Sequence, residues 1–246
     1  AISEAGNAAS YFAVGDTKNI KLNGAVQGFT FSNLSIDAFI LGFNHNSARE
    51  GSNRIHWLIG KISGKDVALC DSKYNSTGSD AGFRMNKSNT NSGGWNGRYM
   101  RKTVLGNSGS PSSPPANSLL AALPSDLRSA IKATTKYTDN TGGGQNNASS
   151  VTATTDYLFL LAEFEVFGTR SYANSAEQNY QKQYDYFKAG NSRVAYDHRN
   201  TGSAVWWWCR SPYYDGSIDF QCVWTDGGDA NNRAYYSAGV RAGFSI

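Results

Sequence analysis

Cysteine is scarce in this chain: Cys70, Cys209 and Cys222 are the only three in 246 residues. An odd and small number cannot build a disulfide framework. Small buried thiols are expected instead, although Cys209 and Cys222 could bridge neighbouring strands. Histidine is equally scarce, and His45, His56 and His198 stand in unrelated contexts. No HExxH, CxxC or GxSxG occurs, so the common zinc and nucleophile motifs are missing. Each histidine reads as a satisfied surface or core side chain. No apolar run is long enough to cross a membrane, and no basic-then-apolar leader opens the chain. The net charge is only +4, with Lys and Arg scattered rather than blocked together to neutralise phosphates. Nucleic acid and membrane insertion are set aside as partners, and nothing in the sequence requires a cofactor. The chain begins at Ala1 rather than Met, which reads as a processed form or an excised domain.

Aromatic residues are what the chain does have: 13%, against only 39% hydrophobic residues in all. Such a composition buries a few large rings rather than many aliphatic stripes. The 26 glycines, with long Asn/Ser/Thr stretches, announce turns and loops. Residues 1–10 read as a tail or stalk junction, and 11–246 as a single domain. Strands are expected over 11–22 and 25–43, where Phe29, Phe31 and Ile36 fit an alternating face, and again over 56–62 and 67–71. Residues 93–106 place Trp95, Tyr99, Met100 and Val104 near helical spacing, stopped by Gly106. Two loop excursions, 106–118 and 140–150, flank a pair of short helices in 118–134. Residues 156–168 read as a buried strand running into a turn of helix, and 169–190 as a polar segment with a short surface helix. The sum is an α+β domain with small irregular antiparallel sheets, a few short helices and long loops.

Candidate chemistry is thin. Glu163 and Glu165, two apart, read as capping or solvated carboxylates at a strand-to-helix junction. The glycines 142–144 lack the strand–turn–helix frame and the lysine of a phosphate cradle. In TDGGDANN (225–232), Asp226, Asp229, Asn231 and Asn232 offer hard oxygens, but no Glu follows to close a calcium loop. A polar turn is expected there.

The stretch AVWWWCRSPYYDG (204–216) is different. Successive strand residues face opposite sides, so Trp206, Trp207 and Trp208 cannot share one face. WWCRSP (207–212), FQCVWTDGGDANN (220–232) and GVRAGFSI (239–246), with DYLFLLAEFEVFG and GGWNGRYMRKTVL upstream, resemble a family of bacterial and phage surface proteins. Those carry a WWLRSP-like box and a closing GVRPAF-like segment, and they resemble the variable proteins of diversity-generating retroelements. Cys209 replaces the usual Leu, and Ala242-Gly243 the usual Pro-Ala. The resemblance implies a C-type-lectin-like fold whose C-terminal stretch, about 202–246, is rewritten at adenines for ligand binding. It also implies a virion tail or cell-surface setting and a host-surface protein or glycan receptor, with homo-oligomerisation or attachment to a larger particle left open.

Within that stretch, Trp207, Trp208, Arg210, Ser211, Pro212, Val223, Gly227, Gly239, Val240, Arg241 and Phe244 are the expected scaffold. Trp207 and Trp208 should face opposite sides of a central strand, and the planar forks of Arg210 and Arg241 should grip buried carbonyls or a carboxylate. The remainder is rich in Tyr, Asp, Ser and Asn, a mixture that suits binding loops. The candidate ligand-binding residues are Trp206, Tyr213, Tyr214, Asp215, Ser217, Asp219, Gln221, Trp224, Asp229, Asn231, Asn232, Arg233, Tyr235, Tyr236 and Ser237. No catalytic or metal-ligating residue is assigned. Two other readings remain: an oxidase of the formylglycine-generating type, which needs reactive cysteines, and a calcium-dependent sugar lectin.

Overall fold

The structure, a computed structural model, describes residues 2–246. It is a mixed α+β domain. Strands β1 (Thr17–Val26) and β2 (Phe29–Phe43) form an antiparallel hairpin. Its two-residue turn, Gln27-Gly28, has both φ angles positive (46° and 86°), the geometry that matches strand twist. β2 pairs with β3 (Ile55–Ile62), which turns at Ser63-Gly64 into β4 (Lys65–Ala68). Strands β5 (Thr134–Asp139) and β6 (Val151–Asp156) make a separate two-stranded sheet. β7 (Ala195–Asp197) and β8 (Asn200–Val205) extend the large sheet beyond β4. β9 (Trp207–Pro212), β10 (Asp219–Val223) and β11 (Asp229–Arg233) form a three-stranded sheet. β12 (Gly243–Ser245) returns the C-terminus to β3. The large sheet is bigger than expected, with seven strands, and it is not purely antiparallel, because β4 and β7 run parallel.

Helices are short: α1 (Ser47–Glu50), α2 (Leu119–Ala122), α3 (Ser125–Ala130), α4 (Glu163–Phe167) and α5 (Asp185–Lys188). None has the length to be stable alone, so each depends on its contacts with the sheets.

Two apolar clusters lie on opposite sides of the strands, and the period of two sorts side chains between them. Ile36, Ala38, Ile59, Val67, Leu69, Leu158 and Leu160 enter the first cluster. Phe39, Leu41, Leu58, Ala68, Cys70, Phe159 and Leu161 enter the second. The tryptophan run obeys the same rule. Trp206 and Trp208 fall in the first cluster and Trp207 in the second. Each indole N–H donates to an oxygen, of Asn75, Arg193 and Phe83 in turn. Three consecutive tryptophans are tolerated because both sides of the strand are covered.

An ionic cluster runs through the interior and ties β9 to β5 and α4. Arg210 donates from Nη1 and Nη2 to the two oxygens of Glu165, at 2.6 and 2.9 Å, and from Nε to Thr138 Oγ1 at 2.6 Å. Lys136 Nζ donates to Glu50 at 2.6 Å, Glu165 at 3.1 Å and the Tyr184 hydroxyl at 2.9 Å. Burial alone would raise the Glu165 carboxyl, but Arg210 and Lys136 outweigh it and hold it far below the usual range. Neither glutamate of the EFE motif is solvated. Glu163 is buried and accepts the backbone N–H groups of Ser171, Tyr172 and Ala173. Glu165 caps α4 by accepting the Ala162 N–H while pairing with Arg210. Short helices with few intrahelical bonds leave backbone donors that these carboxylates satisfy.

Other expectations are corrected by packing. Residues 2–10 are no free tail: Ala8 packs against Ile40 and Ile55, and the Ser3 hydroxyl donates to the Asn53 and Ile246 carbonyls. Residues 93–106 form turns and a single wide turn, Met100–Val104, rather than a regular helix. Gly94 sits at φ 48°, where an added Cβ would lie 2.1 Å from the Asp139 carbonyl. The segment 169–190 contains turns at Ser175–Asn179 and α5, and its Tyr184, Tyr186 and Phe187 are buried, not surface residues. Both loop excursions are pinned: Asn107 clamps Tyr157 N–H and the Leu158 carbonyl, and Asn91 accepts the Gly143 N–H.

Glu177 lies in the same interior, accepting from Asp139 N–H, Ser211 Oγ and Gln181 Nε2. Burial pushes its carboxyl from 4.5 up to about 7, and Glu50 likewise to about 7. A raised carboxyl pKa contributes stability that is fully present below pH 4.5 and is lost as pH rises through about 7, on the order of 3 kcal/mol for Glu177. Glu177→Gln removes that loss. Its melting temperature relative to wild type should therefore climb by several degrees between pH 5 and pH 8.5. A difference that stays flat across this range would show that Glu177 does not take up the proton.

Candidate functional site

The C-terminal stretch divides by burial. Trp207, Trp208, Arg210, Ser211, Pro212, Val223, Gly239, Val240, Arg241 and Phe244 are all buried. Arg210 grips a carboxylate, as expected of a scaffold fork. Arg241 does so weakly: its Nη2 is 3.5 Å from Asp66 Oδ1, and its guanidinium lies over the Phe39 and Trp207 rings.

Most of the candidate binding residues reach solvent. Asp215, Ser217, Trp224, Asp229 and Arg233 are exposed, and Tyr213, Tyr214, Asp219, Asn231, Asn232, Tyr235 and Tyr236 are half-buried. They occupy the β9–β10 loop, the β10–β11 turn, β11 and the segment after it. Three candidates are corrected, because Trp206, Gln221 and Ser237 are closed to solvent. Trp206 is walled in by Tyr74, Trp208, Trp224 and Tyr236. Gln221 lies on the central strand β10 opposite Asn231, and the Ser237 hydroxyl donates to Asp71 Oδ1 at 2.7 Å. Each supports the face from beneath rather than forming part of it.

The β9–β10 loop carries no regular structure between Tyr213 and Ile218, yet one carboxamide organises it. The buried Asn91 Nδ2 lies 3.2, 2.6 and 2.9 Å from the carbonyls of Tyr213, Gly216 and Asp219. Beside the loop, Tyr172 packs edge-on against Tyr213, Tyr213 against Tyr214, and Arg170 lies over Tyr214. Sequence reasoning missed Asn91, Arg170 and Tyr172, which lie far from the loop in the chain and have no local signal.

Among the described residues, His45, Glu50 and Glu165 form a group with the spacing of metal ligands. Lys136 Nζ already sits between the two carboxylates as their cation. Burial, reinforced by Lys136, pushes His45 down to about 3, so it stays neutral and adds no charge to the cluster. A metal would have to displace a buried ammonium, and the cluster reads as a charge-compensated core. At the β10–β11 turn, Asp226 Oδ1 accepts the Gly228 N–H at 2.8 Å, as a polar turn does.

All three cysteines are free and buried. Cys222 pairs in register with Trp208, not Cys209, and the two thiols enter opposite clusters, so strand parity keeps them apart. Burial raises every one of the three thiols above its ordinary range, leaving little thiolate to act as a nucleophile. The native protein should react with no thiol reagent at neutral pH and should titrate three thiols in denaturant. One fast-reacting native thiol would revive the cysteine-dependent oxidase reading.

Comparison with known proteins adds a family and no chemistry. No curated protein and no solved structure matches the chain. One family model, described as a domain of unknown function, matches residues 65–246, from the start of β4 through the tryptophan box and the whole exposed face to the C-terminus. On that match over most of its length, the chain belongs to the DUF6273 family.

Proposed function

We propose that this protein is a binding domain of C-type-lectin-like architecture whose C-terminal face displays a ligand site, in the manner of the variable proteins of diversity-generating retroelements. The ligand is a protein or glycan receptor on a host surface, met by a phage tail or by a cell-surface display protein. One observation carries the reading: within residues 207–246, box residues and Tyr/Asp/Asn positions separate by burial. The expected scaffold residues are buried except Gly227, which is half-buried in the β10–β11 turn. Tyr213, Tyr214, Asp215, Asp229, Asn231, Asn232, Arg233, Tyr235 and Tyr236 are partly or wholly open to solvent and lie in loops and on an edge strand. Tyrosine gives large contact area at low entropic cost and Asn and Asp give adaptable hydrogen bonds, as in other binding loops.

A protein built this way separates stability from recognition. Alanine at Trp207, Trp208 or Phe244 should cost about 3–5 kcal/mol each. Alanine at Tyr213, Tyr214, Asn231, Asn232 and Tyr235 together should cost less than any one of these, about 2.5 kcal/mol at most, because substitutions that reach solvent stay within about 0.5 kcal/mol each. That surface variant should nonetheless lose at least ten-fold in retention on host cells or their extracted surface material. A surface variant that unfolds, or that binds as wild type does, overturns the site. A near-copy of codons 202–246, differing only at adenines and lying beside a reverse transcriptase gene, would tie the domain to diversification.

A further inference from the structure

The end of β2 and the segments around α4 and α5 enclose a cleft of about 560 Å³, a size usual for small-molecule sites. None of its lining residues belongs to the C-terminal stretch 202–246. Its floor is His45, Asn46 and Gln181, each more than nine-tenths buried. Phe43 and Phe164 are half-buried in its walls, and Lys182, Asp185 and Lys188 stand exposed at its rim.

The floor carries polar atoms that the fold leaves unmet. Gln181 Nε2 donates to the Tyr137 carbonyl at 2.8 Å and to Glu177 Oε2 at 2.9 Å. A flipped carboxamide would set oxygen against both of those oxygens. The nitrogen is therefore fixed inward, and Oε1 is left as a buried acceptor with no donor. Native interiors seldom leave an acceptor in that state. His45 is held by its ring, stacked on Tyr184 with centroids 3.7 Å apart. Its Nε2 stands 4.0 Å from Glu50 Oε1 and has no hydrogen-bond partner.

What an occupant must offer follows from these atoms and from the rim. Gln181 Oε1 requires an O–H or N–H donor, which a simple carboxylate or a fully ionised phosphate lacks. Lys182 and Lys188 only donate, and Asp185 is the single acid lining the cleft. A cation, or the ammonium of an amino acid, would add a third positive charge to that rim. An apolar molecule would face the carboxamides of Asn44, Asn46, Gln178, Gln181 and Gln183 without bonding any of them. A hydroxyl both donates and accepts, as a carboxamide does through its two atoms, so a ring of hydroxyls matches this lining. The phenyl surfaces of Phe43 and Phe164 suit the carbon face of such a ring. A carboxylate on the ring completes the match. It pairs with the two lysines, and it enters a positive field: after burial, the charges acting on His45 are Lys136, Glu165, Arg210 and Lys182, three of them cations.

We infer that this cleft binds an acidic saccharide, a pyranose whose hydroxyls bond the carboxamides and whose carboxylate pairs with Lys182 and Lys188. The site is separate from the C-terminal face and takes its ligand without a metal ion.

The chain has three histidines, which keeps the imidazole C–H spectrum simple, and His45 is assigned through its contact with the Tyr184 ring. The His45 resonance is followed while glucuronate, galacturonate and N-acetylneuraminate are titrated in turn. At least one should shift it saturably, with affinity weakened as salt shortens the screening length. Methyl glucoside and methyl galactoside lack the carboxylate, and acetate and lactate lack the ring. Each should bind at least about five-fold more weakly, the loss expected when a charge-assisted pair or the hydroxyl contacts are removed. The double variant Lys182→Met, Lys188→Met should melt as wild type does and bind the acidic sugar no better than the neutral one. Lys188→Met alone serves if the double variant does not fold. The inference is overturned if no acidic sugar shifts the resonance, or if a neutral sugar or a simple acid binds equally well. Tighter binding of alanine, or lysine variants that bind as wild type does, would also overturn it. Binding abolished by a chelator would assign the sugar to a calcium site and sink it too. The readout is at His45 and uses no host material, so the cleft can fail while the surface variant still loses host binding, and the reverse.

Discussion

Arg210 and Glu165 meet through two parallel hydrogen bonds where β9, β5 and α4 converge, and neither side chain is reachable by water. A guanidinium in such a place must be paired, because an uncompensated buried charge costs several kcal/mol. The pairing decides several things together. It holds β9, and with it the tryptophan run, at a set height above β5 through the Thr138 and Leu160 contacts. It orients Glu165 to cap α4, and it supplies the positive charge that, with Lys136, keeps Glu165 ionised. A fully apolar substitute could be as stable, but a planar fork matched to a carboxylate admits one geometry. Losing either partner alone would leave the other stranded, at about 3–5 kcal/mol.

Around this centre the domain uses side chains where other folds use long ladders. Helices of four to six residues and strands of three to six in the C-terminal half leave many backbone groups unpaired. Asn91, Asn107 and Glu163 each bind two or more backbone groups of a distant loop. The asparagine-rich composition is thus partly structural. It yields loops that are irregular yet held in place, as the proposed binding role would require. Beneath them lie Trp206, Gln221 and Ser237, whose residue types resemble the face but whose positions do not.

Strand parity explains what could be foreseen about the tryptophans. Trp207 and Trp208 had to diverge once β9 was a strand, and the two clusters on either side receive them. Parity also separates Cys209 from Cys222, but only after the register with β10 is known, since a shift of one residue would have aligned them. The same limit applies to Trp206 and Gln221. Their chemistry suits a binding surface, and only the tertiary neighbours, Tyr74 and Tyr236 over one and β9 and β11 flanking the other, close them to solvent.

Local pattern determined the α+β class and the strands over 29–43 and 56–62, because alternation acts over a few residues. It ran one strand across the Gln27-Gly28 turn, and the expected strand before α4 is an extended segment with a single bridge at Phe159. Nor could local pattern decide the buried ionic cluster. Glu50, Lys136, Glu165, Glu177 and Arg210 come from five separate segments, and a charged residue carries no mark of burial until its partner is brought to it. The attachment of residues 2–10 is of the same kind: Ser3 and Ala8 are ordinary in sequence, and it is the arrival of Asn53, Ile55 and Ile246 beside them that makes them part of the domain. The Trp224–Trp206 stack, too, exists only because the β10–β11 hairpin sets one ring against the other.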